Sequence, residues 1–196
     1  MSAHENMEHA EHAEHASHSN KGIALLIALL ALCLAFSETL GKSAQTASLA
    51  YNVQANDTWA FFQAKTIRMT LLRTAAETAQ ISADSTADAG AKAAYVKQID
   101  AWKKTADRYD DDEKSMEGRK QLAEKAKVFD EKREDKMQRY EQYELASAAF
   151  QIGIVMASAT IITGMIVLAW ISGGLGLVGL AFTALGLWAP HAVHLF

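Results

Sequence analysis

The residues best suited to chemistry in this sequence stand at its start. MSAHENMEHAEHAEHASHSNK holds five histidines and four glutamates in 21 residues, and Glu8-His9, Glu11-His12 and Glu14-His15 form a three-residue repeat closed by Ser17-His18. On a helix, residues three apart are neighbours, so adjacent imidazoles could share one ion. Imidazole with carboxylate suits zinc, nickel or copper. A preformed metal site also needs fixed geometry and partners behind its ligands. An alanine-rich tail supplies neither, so His9, His12, His15 and His18 are expected to bind weakly, pH-dependently and in several equivalent registers. His4 offers something sharper. Removal of Met1 would expose Ser2-Ala3-His4, whose free amine, two deprotonated amides and imidazole can form a square-planar site for Cu(II) or Ni(II). The competing reading is a solvated tail whose histidines only respond to pH. Neither reading requires a cofactor.

Elsewhere the residue types offer little reactivity. The single cysteine, Cys33, sits in an apolar stretch as a small hydrophobe, which leaves no intrachain disulfide or cysteine-based zinc site. Asp57 and Lys65 are eight residues apart and read as surface or interhelical charges rather than an acid/base pair. Glu38 stands at the end of an apolar run, where it is expected to reach the membrane interface, and His191 and His194 flank the far end. A net charge of −4 argues against nucleic acid, which needs a basic surface. With no nucleotide loop, catalytic triad or dense intramembrane charge, the sequence carries no catalytic residues, reads as non-enzymatic and leaves any small-molecule substrate unspecified.

The elements behind these residues are legible from apolar patterning. After the tail, 1–21, comes IALLIALLALCLAF, Ile23 to Phe36; with its shoulders it approaches the roughly 20 residues needed to cross a bilayer, so 22–41 is read as a transmembrane helix. A signal peptide would begin basic and end in a cleavage site; here an acidic segment precedes and Glu38 with Lys42 follows. Two further apolar runs, 148–171 and 175–196, are separated only by Ser172, Gly173 and Gly174, which are expected to form the turn of a membrane hairpin. Trp170 and Trp188 suit the headgroup level.

Between the runs lies a charged, proline-free middle, 42–147, rich in helix formers. Ala55, Trp59, Phe62, Thr66 and Met69 form one stripe, and Ala60, Ala64, Ile67 and Leu71 a second beside it. Past the punctuation ISADSTADAG, Tyr95, Ile99, Trp102, Ala106 and Tyr109 repeat the spacing, predicting an antiparallel helical hairpin. The pattern loses phase through DDDEKSMEGRK, where a kink or second turn is expected, and resumes at Leu122, Ala126 and Phe129. The fold class expected is therefore an all-α membrane protein: one N-terminal transmembrane helix, a coiled-coil-like helical hairpin domain and a C-terminal two-helix transmembrane hairpin. Of the 19 basic residues, 18 lie between Lys42 and Arg139. Lys132, Arg133, Lys136, Arg139 and Lys42 beside the apolar runs place the middle domain in the cytoplasm and the tail outside.

The stretch NDTWAFFQAK, Asn56 to Lys65, following an apolar run and the linker GKSAQTASLAYNVQA, resembles the bacterial membrane family catalogued as domain of unknown function 4337. The resemblance implies a His- and Glu-rich start, one span, a charged helical middle, a C-terminal membrane hairpin and a bacterial inner-membrane location. It implies no catalytic residues. Trp59 and Phe62, with Phe61 and Lys65 beside them, read as hairpin core or as an anchor for another subunit. Gly153 with Ala157, and Thr160 with Gly164, are small-residue pairs that permit close helix approach, either within the hairpin or between copies. The function expected is an integral membrane scaffold or oligomerisation module embedded in lipid, as a homo-oligomer or within a larger membrane complex. The alternatives are a metal-binding or metal-sensing protein using the tail and an accessory subunit of a transporter.

Overall fold

The computed structural model describes the backbone from Ala3 to Ala192 and side chains from Lys21 to His191. The described residues are all-helical, without strands: α1 (Ala3–Ser85), α2 (Ala89–Asp110), α3 (Arg119–Thr163), α4 (Ile166–Trp188) and a 3-10 turn, Pro190–Ala192. Two compact units form: Met1–Ser48 with Glu134–Phe196, and Leu49–Arg133. Residues 42–48 and 134–147, which patterning assigns to the charged middle, thus group with the apolar helices.

α1 runs unbroken without a proline to remove a backbone bond, and its many hydroxyls bond back within their own helix. Thr46 Oγ1 donates to Lys42 O at 2.8 Å, Thr58 to Gln54 O at 2.7 Å and Thr66 to Phe62 O at 2.8 Å. Asp88 starts α2 as an N-cap, accepting from the Gly90 and Ala91 amides at 3.1 Å each.

In the Leu49–Arg133 unit, α1 buries Ala55, Thr58, Lys65, Met69, Ala76, Ala79 and Ala83. These recur in steps of three, four or seven, which keeps one narrow seam facing inward. Ala76 and Ala79 meet Ile99 of α2, with Trp102 packed against them. The second stripe turns outward: Ile67 is 61% exposed and Leu71 64%. A seam lined by alanine draws the neighbouring helices close on one side of α1 only, so a stripe rotated away from it stays uncovered. Of the kink or second turn expected there, the chain makes the turn, a loop at residues 111–118, after which Leu122 and Ala126 of α3 return to the buried side.

In the other unit, α1 buries Ile23, Leu30, Ser37 and Ala44, each seven residues from the last. Leu30, Ala146 and Phe150 form the core, with Cys33, Ile154 and Phe182 against it. The turn expected at Ser172 to Gly174 falls instead at Gly164 and Met165. Gly164 adopts φ +71°, its amide donating to Thr160 O at 2.9 Å, a conformation that glycine reaches without the Cβ penalty. Ser172 lies inside α4, fully buried, donating from Oγ to Gly153 O at 2.7 Å. Among the described residues, three helices are long and apolar enough to cross a membrane: Lys21–Ser85, Arg119–Thr163 and Ile166–Trp188.

Candidate functional site: an aromatic and cationic layer beside a tied loop

The residues of NDTWAFFQAK gather where α1 meets the start of α3 and the loop before it. Trp59 Nε1 donates to Asp130 Oδ2 of α3 at 3.0 Å, and its ring meets Phe62 edge-on, centroids 5.4 Å apart and planes at 85°. The Arg119 guanidinium lies 5.8 Å from the Phe62 ring centre and pairs with Asp110 at 2.9 Å. Phe62 is thereby held between an indole and a cation, and Phe61 is 40% exposed.

Lys65 is the exceptional side chain of the layer, since burying an ammonium is costly unless partners replace its water. It is 9% exposed, yet its Nζ lies 5.1 Å from the Phe61 ring centre, 5.2 Å from that of Tyr109 and 3.9 Å from Glu117 Oε2. Two ring faces and one half-exposed carboxylate supply the compensation. Lys65 sits on the inward seam of α1, so its four-carbon stem packs inside while its head is caught by α2 and the loop.

The loop at 111–118 is tied down at both ends. Asp111 accepts from Lys120 Nζ at 3.0 Å and from the Gln121 amide, and Asp112 Oδ1 accepts from the Ser115 amide at 3.1 Å. Hydrogen bonds from Gln121 and then Lys120 hold the Asp111 carboxyl below the usual carboxylate range. The bond to Ser115 does the same for Asp112, and the Asp111 carboxylate lifts Lys120. A Cβ on Gly118 would collide with the Gln121 side chain and the Asp112 backbone, so the loop can return this closely only at a glycine.

Beside this layer a cleft of about 810 Å³ opens in the same unit, with Asp57, Phe61, Met116, Glu117, Lys120 and Lys125 among its walls. Its walls combine apolar side chains with charges of both signs.

In the apolar unit, Ala157 is fully buried, and Gly153 faces Leu30 of α1 and Ser172 of α4. That small pair packs within the chain. Gly164 stands in the α3–α4 turn with open space around it. Phe150 and Tyr143, seven apart on α3, lie against Gly179 and Gly186, seven apart on α4. Glu38 accepts from Gln151 Nε2 at 3.3 Å. Arg139 donates to the Gly186 and Leu187 carbonyls at 3.4 and 3.3 Å, closing the end of α4, and is held by Asp135 at 3.0 Å. Burial raises the Asp135 carboxyl, but its bonds and attraction to Arg139 and Lys136 outweigh this and leave it below the ordinary value. His191 lies 3.5 Å from the same carboxylate. The side chains of His4, His9, His12, His15 and His18, and the whole of His194, lie outside the described residues.

With these contacts in place, the comparison is specific: the family described as Domain of unknown function (DUF4337) matches residues 19–189. The chain belongs to this family. No curated protein and no solved structure matches the chain. The DUF4337 match takes in α2, α3, α4 and α1 from residue 19, and with them Trp59, Phe61, Phe62, Lys65, Gly153, Ala157 and Gly164. The tail histidines precede it.

Sequence reasoning passed over Asp130, Tyr109, Glu117 and Arg119 as partners of the DUF4337 aromatic stretch. Asp130 lies in KAKVFDEKREDK, where charges alternate in sign, and nothing in that run singles it out as the acceptor for an indole 71 residues away. The available signal was a lysine on the inward seam, since a buried ammonium demands partners. The roles of Phe150 and Tyr143 could have been sought in aromatics seven apart on α3 matched to glycines seven apart on α4.

Proposed function

We propose that the chain is a non-enzymatic, multi-pass integral membrane protein. Its extramembrane helical unit, Leu49–Arg133, serves as an interaction module of coiled-coil character, scaffolding a homo-oligomer or a larger membrane complex. The observation that carries the membrane reading is the polarity of the other unit, which is inside out for water. Ser37, Ser172, Thr160 and Thr183 are buried there, while Leu25 is 72% exposed, Leu32 68%, Ile162 85% and Leu177 70%. Small and hydroxylated side chains between helices and large apolar ones around them is the arrangement lipid favours, since lipid tails reward no burial of leucine. α4 adds a ruler. Trp170 and Trp188 are 79% and 84% exposed, and their 18-residue separation along a helix is about 27 Å, close to the roughly 30 Å hydrocarbon thickness. The three-and-four spacing of the α1 seam supports the coiled-coil character. The basic residues at 132–139 and Lys42 favour a cytoplasmic face for the module in a bacterial inner membrane, with the tail opposite.

Purification of the full chain from its native host in mild detergent, with mass determination and identification of companions, tests the module reading. A homo-oligomer or a defined companion is expected. A lone monomer refutes the module, and release of the chain from membranes by alkaline carbonate refutes the membrane reading.

A further inference from the structure

The seam of α1 is satisfied within the chain, but the stripe Ala60, Ala64, Ile67 and Leu71 is not, and its spacing continues for about three further turns to Thr78 and Ile81. Ile67, Leu71 and Ile81 are 61%, 64% and 71% exposed. The Thr78 hydroxyl is spent on Thr74 O of its own helix at 2.9 Å, which removes a polar claim from the stripe. We propose that this stripe is the contact through which two copies of the chain pair, α1 against α1, parallel and in register. This rests on the membrane reading above and names the partner of its interaction module.

Three observations single out a second copy as the occupant. The first is direction. α1 carries the apolar 23–36 segment and this stripe on one helix, so copies inserted the same way in one bilayer bring their α1 helices together parallel. Each stripe residue then meets its own counterpart. The second is charge. Self-pairing places like against like, so a charged position would repel itself; from Ala60 to Ile81 the stripe carries no charge, whereas α2 and the start of α3 are charged throughout. The flanking pairs of a parallel two-stranded register, Gln63 with Arg68 of the second copy and Glu77 with its Ser82, set no like charges together. The third is area. At about 100 Å² for each large aliphatic side chain and half that for the smaller ones, the stripe offers on the order of 500 Å² per copy. Two copies bury about 1,000 Å², the lower bound for a specific interface.

The test uses the full chain with Cys33→Ala, reconstituted in phosphatidylcholine and phosphatidylglycerol vesicles and treated with a short bismaleimide. Single cysteines at Ala60 and at Ile81 are each expected to give a cross-linked dimer, while Lys104→Cys on exposed α2 gives less than a tenth as much. The two stripe positions lie about 31 Å apart along the helix, so self-linking at both requires parallel strands. Linking at only one, at neither, or equally at Lys104 overturns the proposal. A second variant, Ile67→Glu with Leu71→Glu, alters only exposed positions and is expected to halve the detergent-corrected mass while leaving the far-ultraviolet circular dichroism unchanged. An unchanged mass overturns the proposal as well. The two readings fail separately: an oligomer or companion complex that does not cross-link along the stripe leaves the module standing and removes this interface, whereas a lone monomer removes both.

Discussion

Replacing Gly179 by alanine should destabilise the apolar unit, although alanine is the better helix former. A Cβ at that position would lie 2.6, 2.7 and 2.8 Å from three atoms of the Phe150 ring. Carbon atoms prefer about 3.5–4.0 Å, so α3 and α4 must part by roughly 1 Å or the ring must leave its rotamer. Phe150 is 1% exposed and packed against Leu30 and Ala146, which leaves it little room to move. Overpacking of this kind costs about 1–3 kcal/mol, and the helix gain of alanine over glycine, about 0.5–1 kcal/mol, offsets part of it. A net loss of about 1–2 kcal/mol is expected. The same change at Gly173 or Gly174, where a Cβ meets nothing within 4 Å, should keep only the gain. At Gly164, with φ +71°, it should cost about 1–2 kcal/mol for the left-handed backbone. Reversible unfolding of the full chain in mixed dodecylmaltoside and SDS micelles, followed by circular dichroism, measures all four. Combining Gly179→Ala with Phe150→Leu should recover at least about 1 kcal/mol relative to the sum of the single changes, outside the 0.3–0.5 kcal/mol scatter of additive pairs. If alanine at 173 or 174 is as damaging as at 164, the chain turns where its glycine pair suggests and the helix register described above is wrong.

Other contacts are open to the same treatment. Trp59→Phe keeps the edge-on contact with Phe62 but removes the hydrogen bond to Asp130, with an expected loss of about 1–2 kcal/mol in thermal unfolding of the full chain; Trp59→Phe and Asp130→Ala, each of which removes the bond, should be strongly non-additive, and full additivity would count against the bond. The lowered Asp111 carboxyl should titrate below its ordinary value of 3.8, read by carboxyl carbon chemical shifts. Because the folded value lies below the unfolded one, the contribution of Asp111 to loop stability is fully present above the unfolded value and lost as pH falls through the folded value; Gln121→Ala should move the midpoint upward, and an unmoved midpoint refutes the assigned cause. For the tail, Cu(II) titrated into a peptide from Ser2 to Asn20 should bind more tightly than into its His4→Ala version, and equal affinities would falsify the square-planar site.

Much of the local organisation was legible before any contact was known. Absence of proline and abundance of alanine gave helices; ISADSTADAG and DDDEKSMEGRK each interrupt them, since runs of aspartate, serine and glycine favour turns and caps over helix interiors. The spacing of Ile99 and Ala106 marked a buried side, and both are buried. The aromatic stretch was visible as a group, but its partners were not: pairing Trp59 with Asp130, or Lys65 with Glu117, depends on how far α3 advances after the loop at 111–118, and the charge pattern there carries no record of that register.

The sequence by itself determined the order of apolar and charged segments, the helical class, the membership of its family and the stripes available on α1, because composition and periodicity act within one helix. Which stripe faces inward and which glycine turns the chain were tertiary decisions. Gly164, Gly173 and Gly179 are chemically the same residue; only the aromatic surface of α3, where Tyr143 and Phe150 need Gly186 and Gly179 opposite them, fixes the register that leaves Gly164 to make the turn. Likewise, the alanines at 55, 76 and 83 are fully or almost fully buried, where small side chains let the neighbouring helices approach closely. Ile67, Leu71 and Ile81 remain on the outer side of α1.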